Sequence, residues 1–214
     1  MDDLIVAGGG PAGLMAAIQA AERGLRVSVF EKNKMLGRKL RITGKGRCNL
    51  TNACDFDTLM ENIPGNGKFL YSAFRAFSNL DLMRFFEDAG LPLVVERGNR
   101  VFPKSQQAAD VAVCLKDLCR KKGVKVNYDC CITDLSRDPD TGRVNGVFCE
   151  DRFFAAGNVL IATGGLSYPL TGSTGDGYRW AERMGHTLIA PKPSLVGLQS
   201  SAPWISDLEG LSLR

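Results

Sequence analysis

Residues 4–31, LIVAGGGPAGLMAAIQAAERGLRVSVFE, decide the fold. Leu4 to Ala7 is a short run that is apolar on both faces, as a strand buried inside a parallel sheet requires. Three glycines follow at once. Pro11 to Arg23 is then alanine-rich and free of β-branched clusters, which predicts a helix entered through proline in its first turn. Gly24 stops that helix. Val27 to Phe30 is the next strand, and Glu31 stands at its end. The whole unit reads as βαβ.

Inside it, Gly8-x-Gly10-x-x-Gly13 is a dinucleotide fingerprint in its required context, after a strand and at the opening of a helix. Gly8 permits the tight turn, Gly10 lets the backbone approach a pyrophosphate, and Gly13 lets helix and strand pack closely. The helix start offers free N–H groups and a partial positive charge to phosphates. Glu31, eighteen positions after Gly13, is placed to accept hydrogen bonds from an adenosine ribose and to repel a 2′-phosphate. The plain alternative is a tight turn without a ligand. The fingerprint alone leaves FAD and NAD both open, and with one GxGxxG no second Rossmann unit is visible.

Further along, Lys32 to Thr51 has no periodicity and holds Arg38, Lys39, Arg41, Lys45 and Arg47 among glycines, which reads as an anion-binding loop. FLYSAFRAF and LDLMRFFEDAG carry helical spacing. Leu93–Glu96 and Arg100–Phe102 read as strands, and Ser105 is placed to cap a helix that runs to Lys122. Strand-like pieces follow at 124–127, 132–135, 144–149 and 153–155. Val159 to Ala162 is one more buried strand, closed by Thr163-Gly164-Gly165, whose small residues let backbone near a cofactor from the other side. A last helix is expected from Asp176 to Met184, with Gly185 as its stop and His186 beyond.

Composition bounds the rest. The chain has 214 residues, 44% apolar and 23% charged, with a net charge of +4. That is globular composition, too mildly basic to argue for nucleic acid. No run approaches the roughly 20 apolar residues of a spanning helix. The acidic start is unlike a secretory signal, so a cytoplasmic location is expected. Seven cysteines without a CxxC argue against a disulfide framework or a redox pair, and one histidine without a Cys/His cluster argues against zinc. Cys48 has two readings: a thiol activated by Arg47 and Lys45, or a small buried hydrophobe, the one favoured here.

GGGPAG, Glu31 and IATGG together resemble the glutathione-reductase-like FAD superfamily. GRKLRITGKGRCNLTN (37–52), RVFPKSQQAADV (100–111), IATGGLSYPLTGSTGDGY (161–178), and PSLVGLQ and LEGLSLR after them resemble the YhiN/BaiN-like FAD-dependent oxidoreductases, the aminoacetone oxidase family. Two positions depart from that family's pattern: Lys45, where glycine is usual, and Gly197, where proline is common.

The resemblance implies an α/β fold: a Rossmann-like FAD-binding domain of the ββα three-layer kind over residues 1–190. Residues 191–214 would begin a β-rich inserted domain. It implies FAD held non-covalently. Gly8, Gly10, Pro11, Ala12 and Gly13 would meet the pyrophosphate, Glu31 and Lys32 the ribose, and Arg38 and Lys39 the phosphates and ribityl chain. Gly46, Arg47, Cys48 and Asn49 would lie near the isoalloxazine, Ile132 near adenine, and Thr163 and Gly164 by the pyrophosphate. Family members are longer, so the chain is expected to be an N-terminal half that holds FAD weakly by itself.

The implied activity is flavin hydride transfer, with NAD(P)H or an amine- or ketone-type small molecule as partner. The competing readings are an NAD-dependent dehydrogenase, a non-catalytic flavin-binding redox module, and RNA contact through Arg38 to Arg47, the last not favoured. No residue is singled out as the catalytic acid or base.

Overall fold

A computed structural model describes residues 1–193, 195 and 200–208. In chain order, β1 (Leu4–Ala7), α1 (Pro11–Glu22) and β2 (Val27–Phe30) form the leading βαβ unit. Next come β3 (Thr51–Asn52), α2 (Phe56–Glu61), α3 (Tyr71–Ala76), α4 (Asn79–Asp88), β4 (Leu93–Glu96) and β5 (Arg100–Pro103). The chain then runs through α5 (Ala108–Lys121), β6 (Lys125–Asn127), β7 (Ile132–Arg137), β8 (Val144–Cys149), β9 (Arg152–Ala155), β10 (Val159–Ile161) and α6 (Asp176–Arg183).

Four strands make a parallel sheet in the order β10-β1-β2-β6, with Val6 beside Leu160 and Val29. Because side chains alternate along a strand, β1 feeds two cores at once. Val6 faces Leu14, Ala17 and Ile18 of α1 and Leu115 of α5, while Ile5 and Ala7 face Ile132, Val147 and Trp180. The second layer is the antiparallel sheet β7-β8-β9. Helices, parallel sheet and antiparallel sheet thus stack in the expected ββα order. Burial of Leu14 and Ile18, neither with any exposed surface, contributes about 1.5–3 kcal/mol each. A third sheet, β3-β5-β4, stands beside α4.

The helix stop at Gly24 is a Schellman turn: Gly24 N–H donates to Ala21 O and Leu25 N–H to Ala20 O, with φ +81° at the glycine. The same hydrogen-bond pair ends α5 at Gly123. The middle of the chain departs more from expectation. The loop 32–51 contains a 3₁₀ segment at Leu40–Gly46, broken by extended Thr43 and left-handed Gly44 and Lys45. FLYSAFRAF is not one helix: Gly67–Leu70 is 3₁₀ and α3 begins at Tyr71, because Gly65 and Gly67 sit just before. An extra helix, α2, starts on Asp55, whose carboxylate accepts from Thr58 N–H. Ser105 does not cap α5, since Gln106 turns at φ +59° and the helix starts only at Ala108.

Cysteine holds one feature that the sequence does not announce. Cys130 and Cys149 form a disulfide across a separation of 19 residues, while the other five cysteines are free. What counts against a framework does not reach a single long-range bond of this kind. Ser194, residues 196–199 and 209–214 lie outside the described residues, so the departure at Gly197 and most of the expected inserted-domain start do too.

Candidate functional site

A cavity of about 290 Å³ opens at the carboxyl ends of β1, β2 and β10. This is where open α/β sheets bind ligands, at the point where successive connections leave to opposite sides. Gly8 to Ala12, Glu31 to Asn33, Arg38, Lys39, Ile132, Thr163 and Gly164 all line it.

The three fingerprint glycines do different work. A Cβ on Gly8, at φ +110°, would lie 2.5 Å from the Ala162 carbonyl oxygen. On Gly13 it would lie 2.1 Å from the Gly8 carbonyl oxygen and 3.0 Å from Val6 Cγ1, so this glycine sits behind the cavity as the helix–strand contact. On Gly10 it would meet nothing within 4 Å. The space in front of Gly10 is open, and the first turn of α1 carries no acidic residue to oppose its field. A cradle of this kind fits a pyrophosphate.

At the other end Glu31 is 8% exposed. One carboxylate oxygen accepts from Gly9 N–H (2.9 Å), the other from Asn33 N–H (2.8 Å) and Asn33 Nδ2 (2.6 Å). A carboxylate offers about four lone-pair positions, so one is left for a ligand hydroxyl. Asn33 in turn accepts from Arg38 Nη1 at 2.8 Å. Lys32 Nζ donates to Asp176 Oδ2 and Thr174 Oγ1, both at 2.8 Å. Burial alone would raise the Asp176 pKa, but the Lys32 and Thr174 hydrogen bonds and the charges of Lys32 and Arg179 carry it below the ordinary value. Lys39 Nζ reaches Ser167 Oγ at 3.5 Å. Thr163 Oγ1 accepts from Gly177 N–H at 3.1 Å, which ties the end of β10 to the first turn of α6. Phe30, Ile132 and Trp180 supply an apolar wall.

Gly46, Arg47, Cys48 and Asn49 do not line this cavity. Arg47 stacks over Phe102 at 4.1 Å, donates through Nε to Gln106 Oε1 at 2.5 Å and pairs with Glu96. Cys48 is 2% exposed, and burial pushes its thiol up, opposed only by a hydrogen bond with Thr43. The activated-thiol reading therefore fails: a neutral thiol in the first core is what the geometry leaves. With its amide nitrogen toward the carbonyls of Thr51 (3.0 Å) and Val101 (3.2 Å), Asn49 fastens the loop to β3 and β5. Lys45 holds φ +56°, the backbone state that suits glycine, which gives a physical reason for glycine being usual there.

Sequence reading missed Asn33, Ser173 and Trp180 in the cavity, and it placed Asp176 at the start of a helix without counting it among the cofactor contacts. The signal for Asn33 was its place two residues after Glu31; nothing local marks Trp180, which arrives from α6. His186 is exposed and closes the end of α6 through its N–H to Ala181 O at 3.0 Å. No helix among the described residues is long and apolar enough to cross a membrane.

Comparison with known proteins agrees with this geometry. Residues 2–201 match the HI0933-like protein Rossmann domain. A ribosomal RNA dihydrouridine synthase of Haemophilus influenzae is 31% identical over 98% of this chain and 52% of its own length. A 3-dehydro-bile acid delta(4,6)-reductase of Clostridium scindens is 34% identical over 93% of this chain and 48% of its own. The chain thus spans about half the length of the curated relatives it matches. Among solved structures, the 3-ketosteroid delta1-dehydrogenase of Sterolibacterium denitrificans shares the fold, with a TM-score of 0.63 at 14% identity, covering 86% of this chain and 55% of that one. The choice between FAD and NAD that the fingerprint leaves open falls to FAD. The chain belongs to the HI0933-like Rossmann-domain family of FAD-dependent oxidoreductases.

Proposed function

We propose that this chain is the FAD-holding part of a reductase that saturates a carbon–carbon double bond conjugated to a carbonyl, with NAD(P)H as electron donor. One observation carries the FAD-holding part of the reading: the open cradle before Gly10 at the acid-free start of α1, joined in one cavity to a buried carboxylate with a lone pair to spare. The names of two relatives support the reaction class. A dihydrouridine synthase and a delta(4,6)-reductase both add two hydrogens across a C=C bond. When bound, FAD supplies the hydride for such an addition.

In this reading Gly8, Gly10, Pro11 and Ala12 hold the pyrophosphate, with Gly13 keeping the helix close behind them. Glu31 takes a ribose hydroxyl. Lys32, fixed by Asp176, borders the ribose, and Arg38 and Lys39 neutralise the phosphates. Ile132 packs the adenine, and Thr163 and Gly164 close the site from β10. The segment Gly46–Asn49 lies outside this cavity, and the Arg47 charge is matched by Glu96, so its part in this reading is to hold the loop against Phe102 and Gln106 rather than to charge the cofactor.

The test is NAD(P)H oxidation by the FAD-loaded protein in two arms, one with a 3-ketosteroid enone and one with uridine-containing RNA. Mass spectrometry reads the product. A product two hydrogens heavier in either arm supports the reaction class, and the arm that responds names the substrate. Flavin that takes electrons from NAD(P)H and passes all of them to oxygen, both substrates unchanged, refutes it.

A further inference from the structure

The Cys130–Cys149 disulfide takes no part in the cofactor contacts above, yet it is built into the wall of their cavity. Cys130 and Cys131 line that wall beside Ile132. The corner that carries them follows β6, with Asp129 in left-handed backbone at φ +50°. Two hydrogen bonds tie it to the end of β2: Cys130 N–H to Glu31 O (3.1 Å) and Asp129 N–H to Asn33 O (3.4 Å). The third tie is the disulfide. Its far end, Cys149, is 6% exposed and belongs to the second core with Phe30 and Trp180. In the β7–β8 ladder Cys149 stands opposite Ile132, not Cys130. The bond therefore reaches two residues back along the chain and pins the corner onto the core, which sheet pairing by itself does not do.

We propose that Cys130–Cys149 is a thiol–disulfide exchange site for a dithiol reductant, and that its oxidation state sets how tightly the adenosine end of the dinucleotide is held. This rests on the reading of the cavity as the FAD site. The attacked sulfur is Cys130 Sγ, because Cys130 is partly exposed at the cavity while Cys149 is buried. A thiolate of the dithiol bonds to Cys130 Sγ; the Cys130–Cys149 bond breaks, and Cys149 leaves as a thiolate and takes a proton. The second thiol of the reagent then attacks the reagent sulfur of the mixed disulfide and releases Cys130, which is protonated in turn. The dithiol is oxidised to its disulfide by two electrons, and the protein disulfide is reduced by the same two. Since Cys130 faces the cavity, the two events are linked. Whatever factor reduction takes from FAD affinity, bound FAD adds to the resistance of the bond to reduction.

The experiment uses the whole chain, air-oxidised or treated with dithiothreitol. FAD affinity is read by fluorescence quenching, and free thiols by maleimide labelling and mass spectrometry. The oxidised protein is expected to show the five free cysteines of the structure, and the reduced protein two more. Reduction is expected to weaken FAD binding about tenfold, and saturating FAD to raise the dithiothreitol concentration at half-reduction by the same factor. Cys149→Ser should bind FAD like the reduced protein and ignore dithiothreitol, while Cys114→Ser should keep the full response. Seven free thiols in the oxidised protein, or equal FAD affinity in the two states, overturns the proposal. If neither state binds FAD, the reading of the cavity fails and the coupling with it; the thiol count still reports whether the bond exchanges.

Discussion

Replacing Gly13 and Gly10 one at a time by alanine separates the packing role of the fingerprint from its binding role. Gly13→Ala puts a methyl 2.1 Å from the Gly8 carbonyl oxygen and 3.0 Å from Val6 Cγ1. Ordinary contact needs about 3.5 Å, and the obstacle is backbone on one side and a buried strand on the other. Helix α1 must therefore retreat by roughly 1 Å, lifting Leu14, Ala17 and Ile18 off the sheet. Overpacking of this kind costs about 3 kcal/mol, the upper part of the usual range. For a chain of this size that lowers Tm by about 6–12 °C. Gly10→Ala meets no atom within 4 Å, and Gly10 already has φ −80°. Its Tm should stay level or rise slightly, because alanine restricts the unfolded chain. Its methyl, however, stands where the pyrophosphate must come, so FAD affinity should fall at least about tenfold, or ~1.4 kcal/mol. Thermal unfolding without cofactor and FAD fluorescence quenching read the two effects separately. A Gly10→Ala protein that melts as early as Gly13→Ala, or that binds FAD like the parent, refutes the division of labour.

Two further outcomes follow from the site. Asp176 has a depressed pKa, so its pairing with Lys32 stabilises the fold above the ordinary value of 3.8 and is lost as pH falls through the depressed one. Asp176→Asn should cost about 1–2 kcal/mol at neutral pH and remove that part of the acid transition; an unchanged stability–pH profile sinks this account. In a native-state alkylation series near neutral pH, exposed Cys131 should react first, and buried Cys48, its thiol held protonated, about a hundredfold more slowly. Equal rates would place Cys48 at an open, activated position after all.

The first βαβ unit was legible because each signal in it is local. Strand runs, glycine spacing and the Gly24 stop act within a few residues of one another, and their bounds match the structure closely. Val144–Cys149 was read to the residue for the same reason. The stretch from Lys32 to Phe77 was not, because its shape rests on left-handed residues that are not glycine, such as Lys45 and Cys48. No propensity announces those. Of the cavity lining, Gly8, Gly10 and Glu31 were singled out from spacing. Trp180 and Asp176 reach the cavity only through the packing of α6 against β10 and Lys32, and sequence distance hides that. Cys130 and Cys149 meet through the β7–β8 pairing, which counting cysteines cannot see.

Glu31 spends three acceptor positions on the protein itself, bridging the glycine turn at Gly9 to the loop start at Asn33. It is therefore a clasp between two loops as much as a contact for a sugar. A variant at this position that fails to bind nucleotide does not report on the ribose alone, because the turn that greets the phosphates has lost its fastening as well. One carboxylate thus fastens both the glycine turn and the loop that follows β2, the two segments that border the cavity.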